Sequence, residues 1–113
     1  MRVSVLGALA PEFYEELKER TRDYSVGQPQ LESDVVIHRV SARTELHEID
    51  RLAGVIKQNG AIWVVFPKGV KTVTAGNVRE AGLAAGLVDN KVISFSPVLT
   101  GLRFVIPVKA RKK

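Results

Sequence analysis

The chain has no cysteine, which excludes disulfides, thiol catalysis and thiolate metal sites. It has no apolar run approaching the roughly 20 residues of a membrane-spanning helix, so no membrane partner is expected. It has two histidines with no third partner at a metal-binding spacing, so no metal is expected. No serine sits in a nucleophile elbow and no glycine-rich loop forms a nucleotide cradle. No catalytic motif is present, and neither an internal repeat nor a linker divides the sequence. The lack of cysteine fits a cytoplasmic protein.

What is present is 113 residues, 45% apolar and 26% charged, enough for one domain with a single core. The net charge of +5 is concentrated at one end. Four of the 17 basic residues lie in the last five, KARKK, which leaves 13 basic against 12 acidic residues and a net charge of +1. The expected organisation is a nearly neutral domain over 1–108 and a basic, flexible tail over 109–113. Any RNA binding through that tail would be weak and would fall steeply with salt.

The densest signal is Gly60-Ala-Ile-Trp-Val-Val-Phe-Pro-Lys68. A continuous apolar run rich in β-branched and aromatic residues reads as a strand buried on both faces. Val3 to Leu6 reads as a first strand rather than the core of a signal peptide. Pro11 suits a helix start, with Glu12, Glu15 and Glu16 early and Lys18 and Arg20 late, so a helix is predicted over 11–22. A brief strand near 24–26 and a clear one over Val35–Val40 follow. Leu46, Ile49, Leu52, Ala53 and Ile56 form a helical stripe. It predicts a helix over 44–58, capped by Thr44 and closed by Asn59-Gly60. Thr74 opens a helix to about Ala85, built from small residues, with Gly82 and Gly86 spaced for close approach to a neighbour. Strands over 91–96 and 102–106, joined by a turn at 97–101, complete the chain.

Strands separated by helices imply right-handed crossovers and parallel pairing. The predicted fold is an α/β three-layer sandwich. It has a mainly parallel sheet of about five strands, helices on both faces and a C-terminal antiparallel hairpin.

The order Asp34-Val-Val-Ile-His-Arg-Val40, helix, Gly60-Ala-Ile-Trp-Val-Val-Phe66, helix and Val92–Pro107 resembles the later half of the class I, Rossmann-like methyltransferases. The stretches Trp63-Val-Val-Phe-Pro-Lys-Gly69, Ala81-Gly-Leu-Ala-Ala-Gly-Leu-Val-Asp-Asn-Lys91 and Gly101-Leu-Arg-Phe-Val-Ile-Pro107 are still more similar to a family of short bacterial proteins of unknown function. The methyltransferase resemblance implies a fold and an S-adenosylmethionine site, and the chain departs from the family pattern at that site. The glycine-rich turn after the first strand is reduced to Gly7-Ala-Leu-Ala-Pro11. No acidic residue closes the second strand, the nearest being Glu32. The segment before Asp34 is too short for the usual two strands and a helix. No cofactor is therefore expected.

Ligands of open α/β sheets bind outside the carboxyl ends of the strands. Gly7, Ser41, Lys68, Gly69, Lys71 and Thr72 are the candidate ligand-binding residues at that rim. Arg39 could join Lys68 and Lys71 there, giving a basic site for a nucleotide or for a phosphorylated or carboxylate metabolite. His38 reads as a packed, hydrogen-bonded core or rim histidine, and His47 as solvent-facing. Trp63 reads as packing under a helix. Asp89-Asn90 reads as a turn, and Glu45, Glu48 and Asp50 as a charged outer face. The leading functional expectation is a non-catalytic, methyltransferase-like binding or assembly module. A homodimer could form through the exposed sheet edge near Leu102–Ile106. The alternatives are a small-ligand domain or enzyme at the rim and the weak RNA binder.

Overall fold

The structure is a computed structural model that describes residues 2–7, 9 and 11–110. Ala8 and Ala10 of the first turn lie outside the described residues, as do residues 111–113 of the basic tail.

Strand β1, Arg2–Leu6, buries Val3 and Val5 and leads into helix α1, Pro11–Arg20. Strands β2, Asp23–Val26, and β3, Ser33–Arg39, pair with β1 in parallel on its two sides. A 3-10 turn, Arg43–His47, runs into helix α2, Glu48–Ala53. The longest strand, β4, Ile56–Pro67, lies parallel to β3. Helix α3, Ala75–Ala84, is capped by Thr74, whose hydroxyl accepts from Asn77 N while Asn77 Oδ1 accepts from Thr74 N. Strands β5, Val88–Ser94, and β6, Leu99–Val105, form the terminal hairpin. The single described sheet has the order β2-β1-β3-β4-β6-β5, with β6 antiparallel to both of its neighbours.

The sheet separates two cores. On one face Val36, Val40, Ile62, Val64, Leu102 and Phe104 pack with Leu46, Ile49 and Leu52 of the 3-10 turn and α2, and with Val78 of α3. On the other, Leu17 of α1 packs with Val3, Val5, Ile37 and Val65. Each fully buried aliphatic or aromatic side chain contributes about 1.5–3 kcal/mol. The result is the predicted three-layer α/β sandwich.

The structure corrects several boundaries. The helix predicted over 44–58 ends at Ala53, with Gly54 as its cap donating to Arg51 O at 3.1 Å. Residues 56–60 already belong to β4. Ile56 stays buried because strand and helix both send it into the same core. Gly60 is not a cap. A Cβ there would lie 2.9 Å from Asp34 O and 3.0 Å from Ser33 O, so glycine lets β4 pass close to β3 at the irregular start of their pairing. Thr44 sits inside the 3-10 turn and is not its cap. The sheet has six strands rather than five because the brief stretch at 23–26 pairs with β1 as an edge.

Asp89-Asn90 lies within β5 and not in a turn; the hairpin turn spans 95–98, where Ser96 Oγ accepts from Leu99 N at 3.1 Å. Gly101 is consequently inside β6. The stretch Leu102–Ile106 is not an exposed edge, since β6 lies between β4 and β5. Gly82 does make a close approach, to Phe104, whereas Gly86 serves the helix end with φ 82° and open space around it.

The connection from β2 to β3 has no helix. Residues 27–32 cross the sheet on a cluster of serines instead. Ser4 Oγ accepts from Gln30 N at 3.0 Å and lies 2.8 Å from Ser33 Oγ and 3.3 Å from Ser25 Oγ. Ser25 donates to Gln28 O at 2.7 Å and Ser33 to Gln30 O at 2.5 Å. Buried polar groups need such partners, and here they tie the loop down.

Candidate functional site

The carboxyl ends of β1, β3 and β4 place Gly7, Arg39 to Ser41 and Lys68 along one rim. Gly7 has a φ of 93°, which suits glycine, and a Cβ there would stand 2.7 Å from Arg39 Cβ and 2.8 Å from Arg39 O. The hollow that the missing side chain leaves is filled by the neighbouring strand. Tyr14 of α1 closes the same turn: its hydroxyl accepts from Leu9 N at 3.2 Å and donates to Gly7 O at 3.5 Å.

Arg39 bends over this end of the sheet. Its Nη1 donates to Val40 O at 2.7 Å and to Ser41 Oγ at 2.9 Å. Ser41 N and Ala42 N both donate to Glu45 Oε1, at 2.9 and 3.0 Å. Glu45 is thus a local clamp on the loop after β3, not part of an outer charged face. Its position three residues after Ala42 is the capping-box spacing, the one sequence signal that could have revealed it.

Lys68 turns the other way. Its backbone N–H donates to Val98 O at 2.9 Å and its ammonium donates to Ser94 Oγ, so both ends of the residue are tied to the β5–β6 hairpin. Gly69, Lys71 and Thr72 are exposed in the loop before α3. The structure therefore brings Gly7, Arg39 and Ser41 together and carries Lys68 to the hairpin side. None of the six candidates, nor Arg39, lines either of the two cavities described below.

One cavity, about 520 Å³, is an open groove between the 3-10 turn with α2 and helix α3, lined by Arg43, Leu46, His47, Asp50, Glu80 and Ala84 among others. The second, about 330 Å³, lies at the opposite, amino end of the strands between Arg2, Asp23, Glu32, Asp34 and Lys57. Here Arg2 Nε pairs with Asp23 at 3.0 Å and Lys57 Nζ with Asp34 at 3.3 Å. The backbone N–H of Arg2 donates to Asp34 Oδ2 at 2.7 Å; this bond, aided by Lys57, holds the Asp34 carboxyl below the ordinary carboxylate value. The cluster fastens the starts of four strands. Glu32 belongs to this end, in the turn before β3 with φ 62°, at the far side of the sheet from any ribose at the rim.

His38 is buried, and its Nε2 donates to Glu45 O at 3.0 Å, as a packed core histidine would. His47 is exposed. Trp63 is partly buried against the α1-side core, its ring edge lying 3.3 Å from where a Cβ on Gly101 would stand. Among the described residues no group of three or more His, Cys, Asp or Glu could hold a metal ion, and no helix is long and apolar enough to cross a membrane.

This topology recurs in solved structures. A provisionally named methyltransferase from Thermoplasma acidophilum superposes with a TM-score of 0.66 at 8% identity, over 96% of this chain and 69% of that one. The fold is that of the class I S-adenosylmethionine-dependent methyltransferases. Magnesium protoporphyrin IX methyltransferase from Synechocystis, solved with bound SAH, gives 0.63 at 12% identity over 94% of this chain and 74% of that one. The fibrillarin pre-rRNA processing protein of Methanococcus jannaschii gives 0.62 at 12% identity over 98% and 67%. No family model and no curated protein matches the chain. At such identities the likeness is one of fold.

The fold implies a site for S-adenosylmethionine, and the residues present do not fit one. Gly7 is the single glycine of the turn after β1, and it packs directly against Arg39 of the next strand. Strand β2 ends in Val26-Gly27-Gln28 without a carboxylate for a ribose. Arg39 puts a guanidinium at the rim, an unfavourable neighbour for a cationic sulfonium. Of the two strands and a helix that the family places between the first helix and the Asp34 strand, the chain retains β2 alone.

Proposed function

We propose that the chain is a non-catalytic binding or assembly module built on the methyltransferase fold. The observation that carries this reading is the rim at Gly7, where the glycine is packed against the backbone and Cβ of Arg39 in the adjacent strand and is the single glycine of the turn. The loop amides nearby support it, since those of Leu9, Ser41 and Ala42 are engaged by Tyr14 and Glu45 rather than open to a ligand. A small anionic ligand at the rim would need Lys68 to leave Ser94 and join Arg39.

The test is calorimetric titration of the purified chain with S-adenosylmethionine and S-adenosylhomocysteine, alongside a thermal-shift panel of nucleotides and phosphorylated metabolites. The expected result is no binding heat up to millimolar cofactor and no shift with the panel. Micromolar binding of either sulfur compound would overturn the reading. A metabolite shift abolished by Arg39→Ala would replace it with a ligand-binding one.

A further inference from the structure

The two faces of the sheet are covered unequally. Helices α2 and α3 lie together on one face, and α1 is the single α-helix on the other among the described residues. Phe13 in the first turn of α1 meets Phe95, just past the end of β5, with ring centroids 5.7 Å apart. Leu17, one turn on, already belongs to the core over β1, β3 and β4. Below Phe95 no described α-helix lies over β6 and β5 on this side. On that stretch the pairing registers set Trp63 of β4, Arg103 of β6 and Lys91 of β5 in one row. Residues opposite each other in antiparallel strands share a face, and Trp63 identifies this face as the α1 side. Neighbouring strands are about 5 Å apart, so the row is about 10 Å long. A Cβ on Gly101 would lie 3.3 Å from Trp63 Cε3 and 3.4 Å from Ile93 Cγ1, so glycine leaves the indole room over β6. Trp63 and Arg103 are half-buried and Lys91 is exposed. The two cations stand directly opposite each other, an arrangement that destabilises an antiparallel pair. No carboxylate offsets them. Arg103 Nη1 donates to the neutral Asn90 Oδ1 at 3.2 Å. Asp89, the only carboxylate in β4, β5 and β6, is paired with Arg79 of α3.

We propose that this row binds single-stranded nucleic acid, with a base stacked on Trp63 and the adjoining phosphates held by Arg103 and Lys91. An aromatic ring beside cations on an open sheet is a stacking platform that accepts any base, because every base has a π-face. The phosphates supply the negative charge that the row lacks and relieve the repulsion between Arg103 and Lys91. The row lies outside both cavities, so a free nucleotide would bury little surface there, whereas a strand adds contacts along the sheet. Nor is the row self-complementary: a second copy set against it would bring cations against cations. Binding on the sheet is separate from any binding through the basic tail.

The proposal rests on the binding-module reading and gives that module a partner; separate measurements test the two. Trp63 is the single tryptophan, so the intrinsic fluorescence of the full chain reports on the platform itself. Titration with a short oligouridine at low salt is expected to quench this fluorescence to saturation. A duplex, whose base faces are covered, and polyglutamate, which has charge but no bases, are expected to leave it unquenched. Lys91→Ala, at an exposed position, removes one phosphate contact and is expected to lower the slope of log K against log salt by about 0.7. Lys91→Glu and Arg103→Gln are each expected to weaken binding about tenfold. No quenching by oligouridine, equal quenching by polyglutamate or duplex, or an affinity indifferent to the Lys91 and Arg103 changes would overturn the proposal. The last outcome would assign the binding to the basic tail. A chain that binds neither oligouridine nor S-adenosylmethionine overturns this partner and leaves the module reading standing. Quenching by oligouridine together with binding of S-adenosylmethionine overturns the module reading alone.

Discussion

The two halves of the sheet are held by different physics. In the half formed by β4, β6 and β5, α3 presses directly on the strands, and its Gly82 lies so close to Phe104 that a Cβ would fall 2.1 Å from Cε1. In the half formed by β2, β1 and β3, the helix that would cover one face is replaced by the 27–32 loop on its serine cluster. Apolar packing scales with area and tolerates no added volume. A polar seam depends on a few bonds, each costly to orphan. The abbreviated half is also the half that carries the Gly7 turn, so the shortened connection and the packing of Gly7 against Arg39 occur together.

This contrast can be broken first where packing is tightest. Phe104→Ala is expected to cost about 3–5 kcal/mol in urea unfolding. Gly82→Ala alone is expected to cost about 1–3 kcal/mol from overpacking, despite the roughly 1 kcal/mol that alanine adds to a helix. In the Phe104→Ala background the same change should become neutral or stabilising, because the ring it strikes is gone; strict additivity would contradict the contact. Gly60→Ala is expected to destabilise by about 1–2 kcal/mol through the carbonyls of Ser33 and Asp34. On the polar side, Ser4→Ala removes the acceptor for Gln30 N and is expected to cost about 1–2 kcal/mol. Its signature is faster hydrogen exchange at Gln30, with the α3 amides unchanged.

The amino-end cluster gives a pH test. The folded Asp34 pKa lies below its unfolded value of 3.8, so its contribution to stability is fully present above that value. It is lost as pH falls through the lower folded value. Asp34→Asn should therefore lower stability at neutral pH and flatten the acid limb of the stability curve. An unchanged acid limb would separate Asp34 from this role. The smallest effect is expected at Glu32, whose φ of 62° is costly for a side chain. Glu32→Gly should be neutral or stabilising by up to about 1 kcal/mol in thermal unfolding.

Much of the fold was legible. The buried β4 core at Ala61–Phe66, the Pro11 helix and the Thr74-capped helix each carry a local pattern that tertiary packing respects. The boundary at 54–60 was not legible. Ile56 satisfies a helical stripe and a strand equally, and Asn59-Gly60 looks like a helix end until β3 is seen passing beside Gly60. The exposed sheet edge was expected at the wrong strand because sequence order does not say that the last strand inserts between β4 and β5. At the rim, the weakened glycine-rich turn was visible. That Gly7 packs against Arg39 and that Lys68 turns toward Ser94 were not, since those partners lie 32 and 26 residues away in the chain, whereas the Glu45 clamp is local and left a spacing signal.

By itself the sequence determined the layer architecture, the parallel pairing and the near-neutral body, because periodicity, capping and composition act over a few neighbouring residues. Only the tertiary structure decided which glycine makes a close approach, which strand is the edge, and that Lys68 turns to the hairpin. Those outcomes rest on contacts between segments far apart in the chain, and no local pattern encodes them.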